Sequence, residues 1–242
     1  MNLKYKYYAI CPARKGSKRV IDKNIKPLND TPLFQYTVNF LEKLDFIHKS
    51  FISTNDKRIL DFLKEHSNIE GIRRADKLCE DKTSDLELLT DYIENLNLSS
   101  HEINQAVIIL LRPTSPIRKV NELLNMITMF ESDKFTSVRS VVKAQGVHHP
   151  YWMFSKEDNG TAREFVEGKT IQFFHQSQLL PDAYRLTGTY DLIPMKNIFQ
   201  NKNLYGSRMG LYETEMITAI DIDTEFDWKV AEALIKGLSH EK

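Results

Sequence analysis

Apolar and polar positions follow two rhythms along this chain, and the switching between them sets the expected architecture. Tyr7–Cys11 is a strand-like apolar run, and Val107–Leu111, all Val, Ile and Leu, bears the mark of a strand covered on both faces of a parallel sheet. Between these runs the period becomes helical. Thr31-Pro32 reads as an N-cap with a first-turn proline, opening a helix whose Leu33, Tyr36, Phe40, Leu41 and Leu44 share a face. Ser50–Ser53 is a short strand, Asn55 or Asp56 caps a helix through Lys64, and Ser84 or Asp85 opens another with Leu86, Leu89, Tyr92, Ile93 and Leu96 inward. The loop Arg112-Pro113-Thr114-Ser115-Pro116 leads to a helix from about Val120 to Phe130, then to a strand over Thr136–Val142. Regularity returns at Arg185–Ile193, Ile217–Ile222 is a late strand, and Thr224 with Asp227 caps a closing helix. The stripe of that helix is Trp228, Ala231, Leu234, Ile235 and Leu238. Such alternation predicts an α/β fold, a doubly wound and mostly parallel sheet with ligands at the carboxyl ends of its strands.

The rhythm fails between Ala144 and Asp182, where Tyr151, Trp152, Phe154, Phe165, Phe173 and Phe174 stand at irregular spacing. The expectation is one domain over residues 1–242, with 144–182 inserted as an arm for dimer contacts, since aromatics dominate such interfaces. His148-His149 lie on an extended segment that points them opposite ways. They read as a solvated or subunit-contact pair rather than a metal site.

Composition narrows the field. With 41% hydrophobic residues the chain can bury a full core, and 33 Lys+Arg balance 33 Asp+Glu, so positive charge is local and no nucleic-acid partner is expected. Cys11 and Cys79 cannot build a disulfide framework, which fits a reducing compartment. No apolar run approaches the roughly 20 residues a membrane helix requires, and the first residues carry no apolar signal core. A cytoplasmic protein without membrane contact is the expectation.

Candidate chemistry gathers just past the strands. The first strand runs into Pro12-Ala13-Arg14-Lys15-Gly16-Ser17-Lys18-Arg19, with Lys23-Asn24 beyond. Gly16 lets backbone amides approach oxygens, while Arg14, Lys18 and Arg19 supply charge, as a phosphate-binding loop requires. It is neither a Walker loop nor the Gly-x-Gly-x-x-Gly of dinucleotide binders. Ile220-Asp221-Ile222-Asp223 puts two carboxylates at i and i+2, on one face of a strand. Like charges so close repel unless a cation lies near them, and Mg²⁺ shared with phosphate oxygens is the natural resolution. A helix cap at Asp223 and a satisfied loop residue at Asp221 is the plainer alternative.

These residues resemble the signature of the acylneuraminate cytidylyltransferases, the CMP-sialic acid synthetase family. The likeness continues through Arg74-Ala75-Asp76-Lys77-Leu78, Asp81, Ser84, Leu110-Leu111-Arg112-Pro113-Thr114-Ser115-Pro116-Ile117-Arg118 and Ile220–Asp227. It implies a nucleotide-diphospho-sugar transferase-like fold with a small dimerising subdomain, and transfer of CMP from CTP to the anomeric hydroxyl of a 2-keto acid sugar with release of pyrophosphate. By that resemblance Arg14, Ser17 and Lys18 hold the triphosphate, Asn24, Arg74 and Ser84 contact the nucleotide with Ala13 and Gly16 counted in the same nucleotide site, and Asp221 and Asp223 bind Mg²⁺. Arg14, Lys18 and Asp221 would carry catalysis. The departures fall on the sugar side: Arg112 stands where the family's sialic acid enzymes usually have glutamine, Ser177 replaces an expected arginine, and Thr187-Gly188 replaces Asn-Gly. The sugar site is therefore expected at Arg112, Thr114, Ser115, Tyr184 and Arg185, with Arg112 or Arg185 taking the sugar carboxylate. The acceptor would be sialic acid or another nonulosonic acid, such as legionaminic or pseudaminic acid. A 3-deoxy-octulosonate acceptor, or a nucleotide-binding homologue without turnover, stays open.

Overall fold

The computed structural model describes residues 3–65 and 68–240; the expected domain limits at 1 and 242 lie outside them. In chain order the elements are β1 (Lys6–Pro12), β2 (Pro27–Leu28), β3 (Thr31–Pro32), α1 (Leu33–Leu41), β4 (Lys49–Thr54), α2 (Lys57–Leu63), β5 (Ile69–Arg73) and α3 (Asp85–Asn95). They continue as α4 (Ser100–Asn104), β6 (Ala106–Leu110), α5 (Val120–Phe130), β7 (Ser137–Lys143), β8 (Phe154–Lys156), β9 (Ala162–Glu164), β10 (Tyr184–Pro194), α6 (Met195–Phe199), β11 (Met209–Glu213) and α7 (Glu225–His240). The chain divides into a larger unit, Met1–Ser140 with Thr187–Lys242, and a smaller one, Val141–Leu186.

The larger unit is built on a seven-stranded sheet of order β11-β7-β10-β6-β1-β4-β5. β1, β4, β5 and β6 pair in parallel, and β10 runs antiparallel to β6. Alternation along β1 shows why helices cover both faces. Tyr7, Ala9 and Cys11 pack with α1, α2 and α5 through Phe34, Val38, Ile59 and Met126, whereas Tyr8 and Ile10 pack with α3, α4 and α6 through Leu89, Ile93, Ile103 and Ile198. Every residue of β6 is buried, as its unbroken apolar run requires.

Helix starts follow local chemistry in most places. The Asp56 carboxylate accepts from the Arg58 amide, and Ser84 and Glu87 form a reciprocal capping box at α3. Thr31-Pro32 differs from expectation: Pro32 is the N-cap of α1 without a side-chain cap, and the pair forms β3 against β2 instead. The expected strand over Ile217–Ile222 is also absent. Met216–Ala219 is a short 3₁₀ turn followed by extended chain, and the Ile222 amide donates to the Thr114 carbonyl at 2.8 Å. Its apolar side chains go elsewhere: Ile222 is wholly buried with Val20, Leu28, Leu33, Trp228 and Ala231, so α7 packs on the loop region after β1.

In the smaller unit β8 and β9 form an antiparallel hairpin. His149 is buried, with Nε2 3.0 Å from the Pro181 carbonyl and Nδ1 accepting from the Tyr151 amide, while His148 is exposed. The two histidines do point opposite ways, but His149 is a satisfied internal residue rather than a solvated one. The Tyr151 and Phe174 rings meet tilted, with centroids 4.8 Å apart, and Phe154, Phe165, Ile171 and Phe173 are exposed.

Candidate active site

The chain leaving β1 is held in shape by polar neighbours. Thr54 donates its hydroxyl to the Ala13 carbonyl at 2.6 Å, the Lys15 amide donates to Asn55 Oδ1 at 2.7 Å, and Asn24 Nδ2 donates to the Arg14 carbonyl at 2.9 Å. Gly16 turns with φ 91°, in the left-handed region where a side chain is strained. The turn directs Arg14, Ser17, Lys18, Arg19, Lys23 and Asn24 into a cleft of about 530 Å³, whose other walls include Arg74, Ser84, Asp85, Arg112, Thr114 and Asp223. Ala13 is wholly buried beneath the loop.

Arg74 is buried and donates to the Ser53 hydroxyl (3.2 Å) and carbonyl (3.1 Å); burial pushes its pKa down. Ser84 spends its hydroxyl on the α3 cap. Asp81 meets the loop directly. It accepts from Arg14 at 2.7 Å and from Lys18, and these two cations, Lys18 foremost, hold its carboxyl below the usual range. An internal carboxylate thus sits on the cations expected to take phosphate. The sequence contained Asp81 in a recognisable block, yet nothing in its spacing announced this contact across more than sixty residues.

Of the late carboxylates, Asp223 comes to the same place. Asp223 lies 3.2 Å from Arg19 Nη2 and 3.4 Å from Lys23 Nζ, which also donates to the Ile222 carbonyl at 2.7 Å. Ile222, buried between the aspartates, leaves Asp221 exposed and Asp223 half-buried. Lysine and arginine already sit beside Asp223, so repulsion between the two aspartates does not by itself require a metal. Among the described residues no group of three or more His, Cys, Asp or Glu could hold one. Two carboxylates are nevertheless the donor set Mg²⁺ uses when substrate phosphates complete its shell.

Gly188 explains a tight corner. A Cβ there would lie 2.7 Å from Ser115 Oγ, 3.5 Å from Arg112 Cδ and 3.6 Å from Asp221 Oδ1. Ser115 is fully buried and its hydroxyl finds no partner among the described residues, so it lies under the cleft rather than lining it. Arg112 does line the cleft, yet it already pairs with Asp191 at 2.8 Å and Asp85 at 2.5 Å. Burial works against its charge, but the two carboxylates outweigh burial and raise its pKa. Tyr184 and Arg185 are exposed residues of the smaller unit and are not among the cleft's lining residues. The structure therefore gathers Arg14, Ser17, Lys18, Asn24, Arg74, Ser84, Arg112, Thr114 and Asp223 about one cavity. It keeps Ala13, Gly16 and Ser115 as framework and puts Asp221 beside the Gly188 corner.

A mixed, mostly parallel sheet with a cationic loop after its first strand belongs to a known class. The fold matches that of a CMP:2-keto-3-deoxy-manno-octonic acid synthetase complexed with CTP, with TM-score 0.67 over 96% of this chain and 99% of that one, at 13% identity. The fold is that of the nucleotidyltransferases. More narrowly, the chain belongs to the cytidylyltransferase family, whose sequence profile matches residues 8–240, and is a nucleotidyltransferase enzyme. It is 26% identical over 230 residues to the CMP-N,N'-diacetyllegionaminic acid synthase of Legionella pneumophila, covering 94% of this chain and 95% of that protein. It is 24% identical over 230 residues to post-translational flagellin modification protein B of Campylobacter coli, covering 94% and 93%.

Proposed function

We propose that this protein transfers CMP from CTP to the anomeric hydroxyl of a nonulosonic acid and releases pyrophosphate. The observation that carries the reading is the meeting of the Arg14–Lys23 cations and Asp223 in one cleft, although some 200 residues separate them in the chain. The relatives by sequence favour a nonulosonate acceptor over a 3-deoxy-octulosonate, since the likeness to the octulosonate enzyme rests on fold at 13% identity.

The sugar hydroxyl attacks the α-phosphorus of CTP as the bond to pyrophosphate breaks. The protein must hold the two in line and neutralise the charge gathering on the leaving oxygens. Arg14 and Lys18 take that charge, exchanging Asp81 for phosphate. Ser17 and the amides around Gly16 orient the triphosphate, and Asn24, Arg74 and Ser84 hold the nucleoside. Asp221 and Asp223 would hold Mg²⁺, which supplies Lewis-acid polarisation of a phosphoryl oxygen when bound. Lys23 and Arg19, which touch its carboxylate, orient Asp223 for that task. The acceptor lies along Arg112 and Thr114.

A homodimer is part of this reading, supported by the exposed Phe154, Phe165, Ile171 and Phe173 of the smaller unit. So is a cytoplasmic location, supported by the free thiols of Cys11 and Cys79. The decisive experiment offers the purified protein CTP, Mg²⁺ and a panel of 2-keto acid sugars, and measures pyrophosphate and CMP-sugar. Turnover with nonulosonic acids is expected. Turnover confined to 3-deoxy-octulosonate would overturn the acceptor, and CTP binding without pyrophosphate release would leave a regulatory homologue. Light scattering of the same sample reads the dimer.

A further inference from the structure

Behind the cleft lies a charge cluster for which the phosphate chemistry has no use. Asp191 on β10 is wholly buried. Its Oδ1 accepts from Arg139 Nε at 2.8 Å, and its Oδ2 accepts from Arg112 Nη1 at 2.8 Å and Arg139 Nη2 at 3.3 Å. Arg112 Nη2 donates to Asp85 Oδ2 at 2.5 Å, and the Arg139 guanidinium lies 4.5 Å from the Tyr205 ring centre. Two guanidiniums face two carboxylates, so the group carries no net charge. Of the four, Arg112 and Asp85 line the cleft, while Asp191 and Arg139 stand behind it. Gly188 of β10 stands beside the Arg112 stem, where a Cβ would lie at an ordinary contact distance of 3.5 Å from Cδ; the group it would clash with is the Ser115 hydroxyl at 2.7 Å.

This arrangement bears on why an arginine is tolerated here. A guanidinium bracketed by two carboxylates offers a third carboxylate direction but little net attraction, because the charge is already balanced. It retains N–H donors toward the cleft, and Asp85, about a third exposed, retains acceptor capacity. Such a pair suits neutral polar groups that both donate and accept.

Building on the cytidylyltransferase reading, we propose that Asp191 is a positioning residue for acceptor recognition. It and Arg139 aim Arg112 so that Arg112 and Asp85 read hydroxyl or N-acyl groups of the sugar, and not its carboxylate. Specificity then follows from geometry fixed below the surface.

The test measures KM and kcat for CTP and acceptor separately in the full-length protein and in Asp191→Asn, Asp85→Asn, Arg112→Gln and Arg112→Lys. Loss of a hydrogen bond to a charged group corresponds to about tenfold or more. Asp191→Asn, Asp85→Asn and Arg112→Gln should each raise acceptor KM by that factor while CTP KM stays within about twofold. Arg112→Lys, which keeps charge but loses the fork, should not rescue. A second arm compares the acceptor with its carboxamide. The preference for the acid should persist in Arg112→Gln; its disappearance would make Arg112 the carboxylate ligand and overturn the proposal. Equal losses on CTP and acceptor, or none on either, would overturn it too. If Asp191→Asn does not fold, Asp85→Asn on the cleft wall decides with the carboxamide arm. Absence of pyrophosphate release by the wild-type protein with every acceptor would sink the parent reading, an outcome distinct from any pattern among active variants.

Discussion

Two walls of one cleft treat arginine in opposite ways. On the loop wall Arg14, Lys18 and Arg19 are partly or largely exposed, and of their partners Asp81 is exposed and Asp223 half-buried. Such pairs are weak in water and break when a better anion arrives. On the other wall Arg112 and Arg139 are mostly withdrawn from solvent around an Asp191 that has no exposure at all. That group loses much if one member is removed and yields nothing to a passing ion. The first wall is prepared for exchange, the second for fixed shape. A protein that must grip a triphosphate and discriminate a sugar has a use for both.

The largest effect should come from the rigid wall. Asp191→Leu leaves two guanidiniums without their buried partner and should cost about 3–5 kcal/mol in denaturant unfolding, which is ruinous for a domain of ordinary stability. Asp81→Asn should leave the unfolding midpoint where it is. Equal destabilisation by the two would erase the distinction between the walls. Next, Lys18→Ala or Arg14→Ala should lower kcat for pyrophosphate release about a hundredfold, as loss of one preorganised charge-stabilising donor does, with folding intact.

A smaller effect is expected at the corner joining the walls. Gly188→Ala puts a Cβ 2.7 Å from the buried Ser115 hydroxyl and should cost about 1–3 kcal/mol. Ser115→Ala in the same chain removes the clashing oxygen and should recover most of it. Smaller still, Asp81→Asn should bind inorganic triphosphate a few-fold more tightly at low salt, because a tethered competitor has gone; the difference should vanish as salt rises. Weaker binding would mean that Asp81 orients the cations instead of competing for them.

Acid gives the mildest probe. Burial works to raise the Asp227 carboxyl, but the Thr224 hydroxyl and the amides of Thr224 and Asp223 outweigh it and hold the pKa below the ordinary 3.8. Its stabilising contribution is present above that value and fades as pH falls through the lower folded one. Asp227→Asn should flatten that part of the acid unfolding curve and leave its neutral region nearly parallel to wild type.

Much of this could be read along the chain where local signals agree. α5 occupies Val120–Phe130 as its periodicity predicts, and the Ser84 and Thr224 caps begin helices where their side chains say they should. The strands of the seven-stranded sheet that escaped notice, β5 and β11, are its two edges. Each is short, paired on one side, and mixes charge or glycine with its apolar residues, so no unbroken run marks it. The cationic loop and paired aspartates were visible as motifs. Asp81 and the Arg112–Asp191–Arg139 cluster were not, because their meaning lies in contacts spanning 52 to 79 residues.

Sequence alone determined the alternation of elements, the two-faced burial of the sheet and the charge carried by the first loop, because hydrophobic period and capping act over a few neighbouring residues. Tertiary structure decided which charges meet. It turned Ile217–Ile222 from an expected strand into a tether for two aspartates, since the pocket under α7 took Ile222. It also changed Arg112 from a free cation into one arm of a neutral network, since a buried carboxylate can lie only where folding brings guanidinium groups to it.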